Sequence, residues 1–446
     1  MRHTSILVAS SLLLGAMGAC AASEDVTAPL PNSDDAGSRI ISGGEGDGGF
    51  DAGDSDAGHN PVDASDAASP MCSPDGWCAT PLPDSDLTFK DVWPLPGRAF
   101  ALATSPTLGI RVLEWTDGAG RWTYIDDSTQ NESGLGKYVG GIWAPNDSEV
   151  YFGVSPGVIY HGTRGVPPQT EWTWTRSRLD DYGSNPGAAN AGYIPYNSGA
   201  GSDGYALGVW GTGPDDVYAW YRNAIFHWKS EGGAPPSWVM EHAARDVPEA
   251  NQDLYFLGAA GTNPDDVWFG GVRPGSSKSC ALVVHKVAGN YERAADGVLS
   301  PSASAWNAQC VPPAGVQSIG GDSGWVGNIQ SPGPGVAIML NGKRQVARLK
   351  KVADGYTVDL SEVPTSVMVS NDRMLSLWAA SEGEQWLSGK GLVVRVDNAW
   401  DGGAYQISTL ALRGAPVRTD LFRIRGTSNT NLWAIGAGYA LHKTTP

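Results

Sequence analysis

The chain has 446 residues and a formal net charge of −17, and 41% of its residues are hydrophobic. Gly, Pro and Trp are abundant, at 59, 30 and 18 residues, and apolar stripes of helical period are hard to find. Gly and Pro mark turns and aromatic residues favour pleated surfaces, so the composition predicts an all-β protein. The acidic balance argues against a nucleic-acid partner, because a polyanion would be repelled.

Residues 1–19 have the composition of an export signal. Arg2 supplies a positive charge, and residues 6–14 form an apolar run that is too short to span a bilayer. The leader ends in Met17-Gly-Ala-Cys20, which resembles the lipobox of bacterial lipoproteins. This resemblance implies that Cys20 becomes the lipidated N-terminus of the mature protein.

The sequence leaves one alternative to the lipobox. An ordinary signal peptide could be cut after Ala19 or Ala22 and leave no anchor. A spanning segment is not predicted, because no later segment is long and apolar enough. We therefore expect an exported protein that contacts the membrane only through lipid on Cys20 and that is held in the cell envelope, at the outer membrane.

Residues 20–71 predict a disordered acidic tether of Ala, Gly, Ser and Asp. Within residues 23–71 there are 11 acidic side chains and one basic one, so the remaining chain from residue 72 carries only −8 of the net charge. Asp51, Asp54 and Asp56 have the spacing of calcium ligands, but no Glu follows where an EF-hand loop needs one. We interpret this run as a self-repelling spacer.

Internal repeats dominate residues 72–446. The best copies are Gly208-Val-Trp-Gly-Thr-Gly-Pro-Asp-Asp-Val-Tyr218 and Gly258-Ala-Ala-Gly-Thr-Asn-Pro-Asp-Asp-Val-Trp268. Each reads as a strand, a Pro-Asp turn and a second strand. An aromatic residue marks the predicted second strand of every copy: Phe100, Tyr151, Tyr218, Trp268, Trp325, Trp386 and Trp433.

The spacing of these aromatic residues predicts a β-propeller of seven four-stranded blades. The gaps run from 47 to 67 residues, and blades of the kelch class have about 50. Most of the aromatic residues follow a first-strand position by eight residues: Trp143, Trp210, Ala260, Trp378 and Arg425. A constant offset with variable gaps indicates fixed hairpins joined by variable outer loops.

The chain termini predict how the ring closes. The last copy supplies three strands, near residues 422–426, 432–436 and 439–443, and then the chain stops. Residues 77–82 are a spare strand that begins with Trp77, as other fourth strands begin with Trp122, Trp172 and Trp238. We expect the spare strand to complete the last blade, because closure removes exposed strand edges.

The repeat Gly-x-Trp-Gly-x-x-Pro-Asp-Asp-Val-Trp/Tyr resembles secreted β-propeller lipoproteins of Gram-negative bacteria. It is also distantly similar to kelch and sialidase-type repeats. The resemblance covers residues 72–446 and implies the fold but not the function. An intact Ser-x-Asp-x-Gly-x-x-Trp box and an Arg triad with Tyr and Glu are not found, so glycosidase activity does not carry over.

Four cysteines remain beyond Cys20, and an even number in an exported chain suggests two disulfides. Three pairings are possible, and we expect Cys72 to pair with Cys78 and Cys280 with Cys310. The first bond would close a small loop, and the second would tie a third strand to a long outer connection. Zinc is the alternative, but neither pair has Cys-x-x-Cys spacing.

Two polar patterns recur in the repeats and are candidate sites. His161, His227, His285 and His442 fall in predicted third strands, where Glu114 and Arg395 take the same slot in two other blades. Third strands lie too far from the axis for these side chains to share a metal ion, so a polar slot on the outer blade surface is expected.

The paired acids are the second pattern. Asp215-Asp216 and Asp265-Asp266 lie in repeated turns, where we interpret them as structural rather than catalytic. The sequence therefore predicts no catalytic residue, no metal and no cofactor.

The favoured function is a non-catalytic, monomeric binding protein that presents one propeller face to an unknown protein or glycan. The first alternative is a glycan-acting hydrolase or lyase with its site at the propeller axis. It would need carboxylates or Arg converging there, and Arg423 and Arg425 are the exceptions among mostly small and apolar residues. The second alternative is an assembly factor for another envelope complex.

Overall fold

The computed structural model describes residues 72–135, 138–179, 206–244, 254–275, 278–300, 308–320, 324–368 and 373–445. These residues belong to the compact unit Asp66–Pro446. The predicted leader, the lipidation site Cys20 and the acidic tether with its Asp51 run lie outside the described residues. What the sequence predicts about them therefore stays a prediction.

The described chain forms seven four-stranded antiparallel sheets, numbered here as blades 1 to 7 in chain order. Within each blade the strands follow one another from the innermost to the outermost. Blade 1 comprises Thr88–Leu95, Arg98–Ser105, Gly109–Thr116 and Arg121–Tyr124. Blade 2 comprises Val139–Trp143, Glu149–Val154, Val158–Arg164 and Trp172–Arg178. Blade 3 comprises Leu207–Gly213, Asp216–Tyr221, Ala224–Lys229 and Ser237–Ala243. Blade 4 comprises Tyr255–Asn263, Asp266–Pro274, Ser279–Val287 and Asn290–Ala295. Blade 5 comprises Asn328–Gly333, Val336–Asn341, Gln345–Val352 and Gly355–Glu362. Blade 6 comprises Ser376–Ala379, Glu384–Gly389, Leu392–Asp397 and Ala404–Thr409. Blade 7 comprises Leu421–Ser428, Asn431–Gly436, Tyr439–Lys443 and, as its outermost strand, Trp77–Ala79.

The blades form a closed ring. Each innermost strand contacts the innermost strands of the two neighbouring blades, including that of blade 7 against that of blade 1. The described parts of the connections add two small hairpins and two 3-10 turns: Val298–Leu299 with Cys310–Val311, Ala411–Leu412 with Ala415–Pro416, Thr129–Asn131 and Thr365–Val367. The predicted seven-bladed propeller is confirmed.

The predicted closure by the two chain ends is also confirmed. Trp77 pairs with Lys443, and Ala79 pairs with Leu441, in antiparallel register. Trp77 is fully buried and packs edge-on against Trp386 of blade 6, with ring centroids 6.1 Å apart. The N-terminal strand therefore supplies both hydrogen bonds and a large apolar side chain to the last blade.

The position predicted for Trp325 was wrong. Trp325 precedes the innermost strand of blade 5, lies outside any strand and is 46% exposed. The equivalent of the second-strand aromatic residues is Ile338, which pairs with Arg348 as Trp268 pairs with His285. The second strand of blade 5 is aliphatic, so the aromatic residue that marks this strand in the other blades is absent there.

The two disulfides join the pairs that the sequence predicts. Cys72 is bonded to Cys78, and Cys280 is bonded to Cys310, with sequence separations of 6 and 30. Cys280 lies in the third strand of blade 4, and Cys310 lies in the small hairpin of the connection to blade 5. The second bond therefore holds the longest described connection to its blade.

A repeated polar contact joins the outer strands of blades 3, 4 and 5. Glu241 of blade 3 accepts a hydrogen bond of 2.7 Å from Tyr291 of blade 4. Glu292 of blade 4 accepts an equivalent bond of 2.7 Å from Tyr356 of blade 5. Burial and the neighbouring carboxylate both raise the pKa of each tyrosine, so each stays a hydrogen-bond donor.

Candidate functional site

The histidine slot is a layer of stacked side chains between the blades. In blades 2, 3, 4 and 7 the third-strand histidine lies flat on the second-strand aromatic ring, with centroids between 3.7 and 4.3 Å apart. His285 is almost fully buried and His442 is nearly so. The interpretation as a slot on the outer surface is corrected for His285 and His442, because these rings contact Tyr356 and Trp115 of the neighbouring blades.

The turn acids orient these histidines. Asp216 lies 3.0 Å from Nε2 of His227, and Asp266 lies 2.8 Å from Nε2 of His285. Both carboxylates also accept from a threonine hydroxyl of the preceding strand. Asp216 and Asp266, the second acid of each Asp-Asp pair, therefore have contacts within the blade that fit the structural role predicted for them.

The Trp-Gly pair of the repeat also has a packing role. The indole of Trp143 in blade 2 lies 2.8 Å from the position that a Cβ on Gly211 of blade 3 would take. Trp210 of blade 3 lies 2.9 Å from the corresponding position on Gly261 of blade 4. Each innermost tryptophan therefore packs on the next blade, and any larger residue in place of glycine would collide with it.

A central cavity of about 720 Å³ runs along the propeller axis. All seven innermost strands contribute to its lining, and a second cavity of about 350 Å³ lies at the ends of those strands near the Asp turns. Gln330 and Arg425 line both cavities. A volume between about 300 and 1,000 Å³ is typical of ligand-binding pockets.

Asp91 ties three blades together at the wall of this cavity. Its carboxylate accepts from the Nε of Arg425 in blade 7 at 3.1 Å and from the backbone N–H of Ile142 in blade 2 at 3.0 Å. Arg423 of blade 7 lies 3.5 Å from the same carboxylate. Burial lowers the pKa of Arg425 against the opposing effect of Asp91. Asp91 is thereby fixed as the counter-ion of two arginines.

Arg423 extends this network across the channel. It also donates to the side-chain carbonyl of Asn328 in blade 5, which accepts from the hydroxyl of Ser376 in blade 6 at 3.0 Å. The Ser376 hydroxyl in turn accepts from the backbone N–H of Ile424 at 3.2 Å. Polar groups of four blades thus hold the Arg423 guanidinium in one position beside the axis.

Two further cations line the cavity. Lys90 lies over the ring of Phe422 at 5.3 Å, and burial lowers the pKa of its ammonium group. Among the described residues, no carboxylate lies within ion-pair distance of Lys90 or Arg373. The cavity lining therefore has four basic side chains and one acidic one, Asp91.

This arrangement favours binding of charge over acid–base chemistry. Asp91 is the single carboxylate of the described cavity lining, and two arginines and two backbone N–H groups already engage it. Across the parts of the chain that the structure describes, no cluster of three His, Cys, Asp or Glu residues could hold a metal ion. The same described residues contain no helix of the length and apolarity needed to cross a membrane.

Sequence reasoning found part of this site. Arg423 and Arg425 were singled out as exceptions at the axis, and the structure brings both to Asp91. Lys90, Arg373 and Asn328 were missed, because they occupy positions outside the repeated pattern. A search for charged residues in otherwise apolar innermost strands would have found Lys90.

No protein-family model and no curated protein matches the chain. Among solved structures, the chain is similar to YCF48 from Cyanidioschyzon merolae, with 14% identity, a TM-score of 0.51, and coverage of 83% of this chain and 99% of that one. It is also similar to the β-propeller domain of Cps50 (Swd1) from Myceliophteria thermophila, with 8% identity, a TM-score of 0.50, and coverage of 84% and 100%. At these identities the likeness shows the fold alone: the chain folds as a seven-bladed β-propeller.

Proposed function

We propose that this chain is an exported, lipid-anchored propeller that binds a glycan of the cell envelope in its central cavity, without altering it chemically. The observation that carries the proposal is the cavity of about 720 Å³ lined by all seven innermost strands.

The absence of an available acid or base in the described cavity lining supports binding over catalysis. Glycan hydrolysis uses a pair of carboxylates about 5–10 Å apart. The described lining offers one, Asp91, and its lone pairs are engaged.

Anchoring at Cys20 is tested by acyl labelling. Cells that express the full chain or its Cys20→Ser variant are grown with an alkyne-bearing fatty acid, and the protein is recovered from membrane and soluble fractions. We expect label and membrane association for the parent chain only. Equal membrane association of the two, or no label on either, contradicts the anchor.

Binding in the cavity is tested with a channel-filling variant. Gln330 lines both cavities, so a bulkier side chain there would narrow the passage between them. The equivalent positions of blades 1, 2, 3 and 6 hold tryptophan, so the fold accommodates an indole in an innermost strand. The full chain is purified in detergent and titrated with muropeptides and with oligosaccharides released from lipopolysaccharide and capsule. We expect one of these to bind, and Gln330→Trp to abolish its binding.

The control is Ala119→Trp, which adds the same indole on an exposed turn of blade 1. It should bind as the parent chain does. The bound oligosaccharide should be recovered with unchanged mass. Binding that survives Gln330→Trp, the absence of binding to any member of the panel, or release of a cleaved product would each contradict the proposal.

A further inference from the structure

The central cavity has a charge opposite to that of the propeller around it. Residues 72–446 carry a formal charge of −8, whereas Lys90, Arg373, Arg423 and Arg425 face a single Asp91 in the cavity lining. Low-dielectric walls with one sign of charge focus the field inside a cleft. An anion would therefore be drawn into the cavity although the rest of the molecule repels it.

The cations of the cavity differ in how far they are already neutralised. Arg425 is only partly exposed, engages Asp91 and lies over the ring of Trp93 at 4.8 Å, so it belongs to the wall. Lys90 and Arg373 have no carboxylate within ion-pair distance among the described residues, and Arg423 shares Asp91 with Arg425. Asp91 alone therefore does not balance the positive charge of the cavity lining, and an additional negative charge would be needed to do so.

An exposed indole stands at the same cavity. Trp325 lines it and is 46% exposed, and its Nε1 lies 3.7 Å from the position of a Cβ on Gly327. Asn328, which follows Gly327, accepts a hydrogen bond from Arg423. Trp325 and the fixed guanidinium of Arg423 therefore line the same cavity.

An indole next to guanidinium and ammonium groups matches the chemistry of a carboxylated sugar. A flat aromatic face accepts the apolar face of a ring while its N–H remains available to water or ligand. Arg and Lys bind carboxylates through charge-assisted hydrogen bonds. A bound carboxylate would also offset the cost of burying the Lys90 ammonium.

We infer that the central cavity binds an acidic oligosaccharide, with its carboxylate on Lys90, Arg373 and Arg423 and a sugar ring on Trp325. This inference rests on the proposed function, because it names the ligand class of the same site. It adds that the negative charge of the glycan, and not its shape alone, determines its affinity.

The test compares an acidic sugar with its neutral ester. The full chain in detergent is titrated calorimetrically with trigalacturonate, with the fully methyl-esterified trigalacturonate and with hexaglutamate. We expect trigalacturonate to bind at least about tenfold more tightly than the ester, since the ester loses its charge-assisted hydrogen bonds. Added salt should weaken binding of the acid and leave that of the ester unchanged.

Variants separate the two contributions to affinity. Lys90→Gln should weaken trigalacturonate by about tenfold and have no effect on the ester. Trp325→Ala should weaken both sugars by the same factor, because ring stacking does not depend on the carboxylate. Arg121→Gln is the matched control: it removes an exposed base from the outermost strand of blade 1 and should change neither affinity.

Three outcomes overturn the inference, and they are distinguishable from failure of the proposed function. If the acid and the ester bind equally and Gln330→Trp abolishes both, the cavity binds glycans but not through charge. If hexaglutamate binds and trigalacturonate does not, the anion is that of a peptide. If neither sugar binds while another oligosaccharide of the panel still depends on Gln330, the ligand class is wrong and the binding role stands.

Discussion

Trp268 and His285 stack face to face in blade 4, with ring centroids 3.7 Å apart and planes that differ by 7°. The histidine also binds Asp266 at 2.8 Å and the hydroxyl of Tyr356 in blade 5 at 3.1 Å. The turn acid, the second-strand aromatic residue and the third-strand polar residue of the repeat therefore meet at one point. Their recurrence in sequence is a consequence of this shared contact.

Replacing His285 with Ala is expected to lower the free energy of unfolding by about 2–4 kcal/mol, because it removes a buried hydrogen bond to Asp266 and leaves a cavity on the face of Trp268. His161→Ala is the control, since its side chain stacks on Tyr151 in the same way but is 27% exposed. Its loss should be about 1 kcal/mol. Urea denaturation measures both, and equal losses would contradict the role of burial.

His442 makes stability depend on acid. Burial lowers the pKa of His442 to about 4, although Asp117 opposes this effect. The unfolded chain takes up a proton near pH 6.5 and the folded chain does not, so the stability that neutral His442 provides above pH 6.5 is lost between about pH 6.5 and 4. The full loss is about 3 kcal/mol. His442→Gln should remove this part of the pH dependence of urea unfolding, and an unchanged dependence would refute it.

His227 should act in the opposite sense. Burial acts to lower its pKa, but its hydrogen bonds to Asp216 and Glu241 outweigh burial and raise it. A raised pKa contributes stability that is fully present below about pH 6.5 and is lost as the pH rises through the folded value. The destabilisation caused by His227→Gln should therefore be larger near pH 5.5 than near pH 9. Comparison of urea midpoints at the two pH values decides this, and a larger effect at high pH would show the sign to be wrong.

Ring closure by the N-terminal strand is expected to stabilise the whole propeller. Deleting residues 72–83 removes Trp77, the pairing with Tyr439–Lys443 and one disulfide. The melting temperature should fall for the entire domain in a single transition, because the ring closes once. Deleting residues 23–60 should leave the melting temperature unchanged. If both truncated chains have the same melting temperature as the parent chain, the ring closure contributes nothing to stability.

The two disulfides should differ in what they contribute. The sequence separation is 30 for Cys280–Cys310 and 6 for Cys72–Cys78. In the chain-entropy model the longer loop gives about 3–4 kcal/mol and the shorter about 2 kcal/mol. Paired Cys→Ala variants measured by urea denaturation should follow that order. Mass spectrometry of non-reduced peptides should find both bonds, and crossed pairing or free thiols would contradict them.

The sequence by itself determined the seven blades, the ring closure and the disulfide pairs. The blades follow from a local pattern that repeats, whereas the ring closure and the disulfides follow from the numbers of strands and of cysteines. The Pro-Asp turn fixes a hairpin through nearby dihedral angles, and the strand left over near Trp77 matches the strand missing after Lys443. Blade 5 failed the same reading because its second strand, Val336–Asn341, is aliphatic and its Trp325 lies outside the repeat.

Only the tertiary structure decided the chemistry of the axis. Lys90, Asp91, Asn328 and Arg423 lie up to 333 positions apart in the chain, and no local pattern relates them. Closing the ring brings the innermost strand of blade 7 against that of blade 1, and this contact places Arg423 and Arg425 on Asp91. A site made by one residue from each of several blades is set by the ring geometry, so it has no signature within any single repeat.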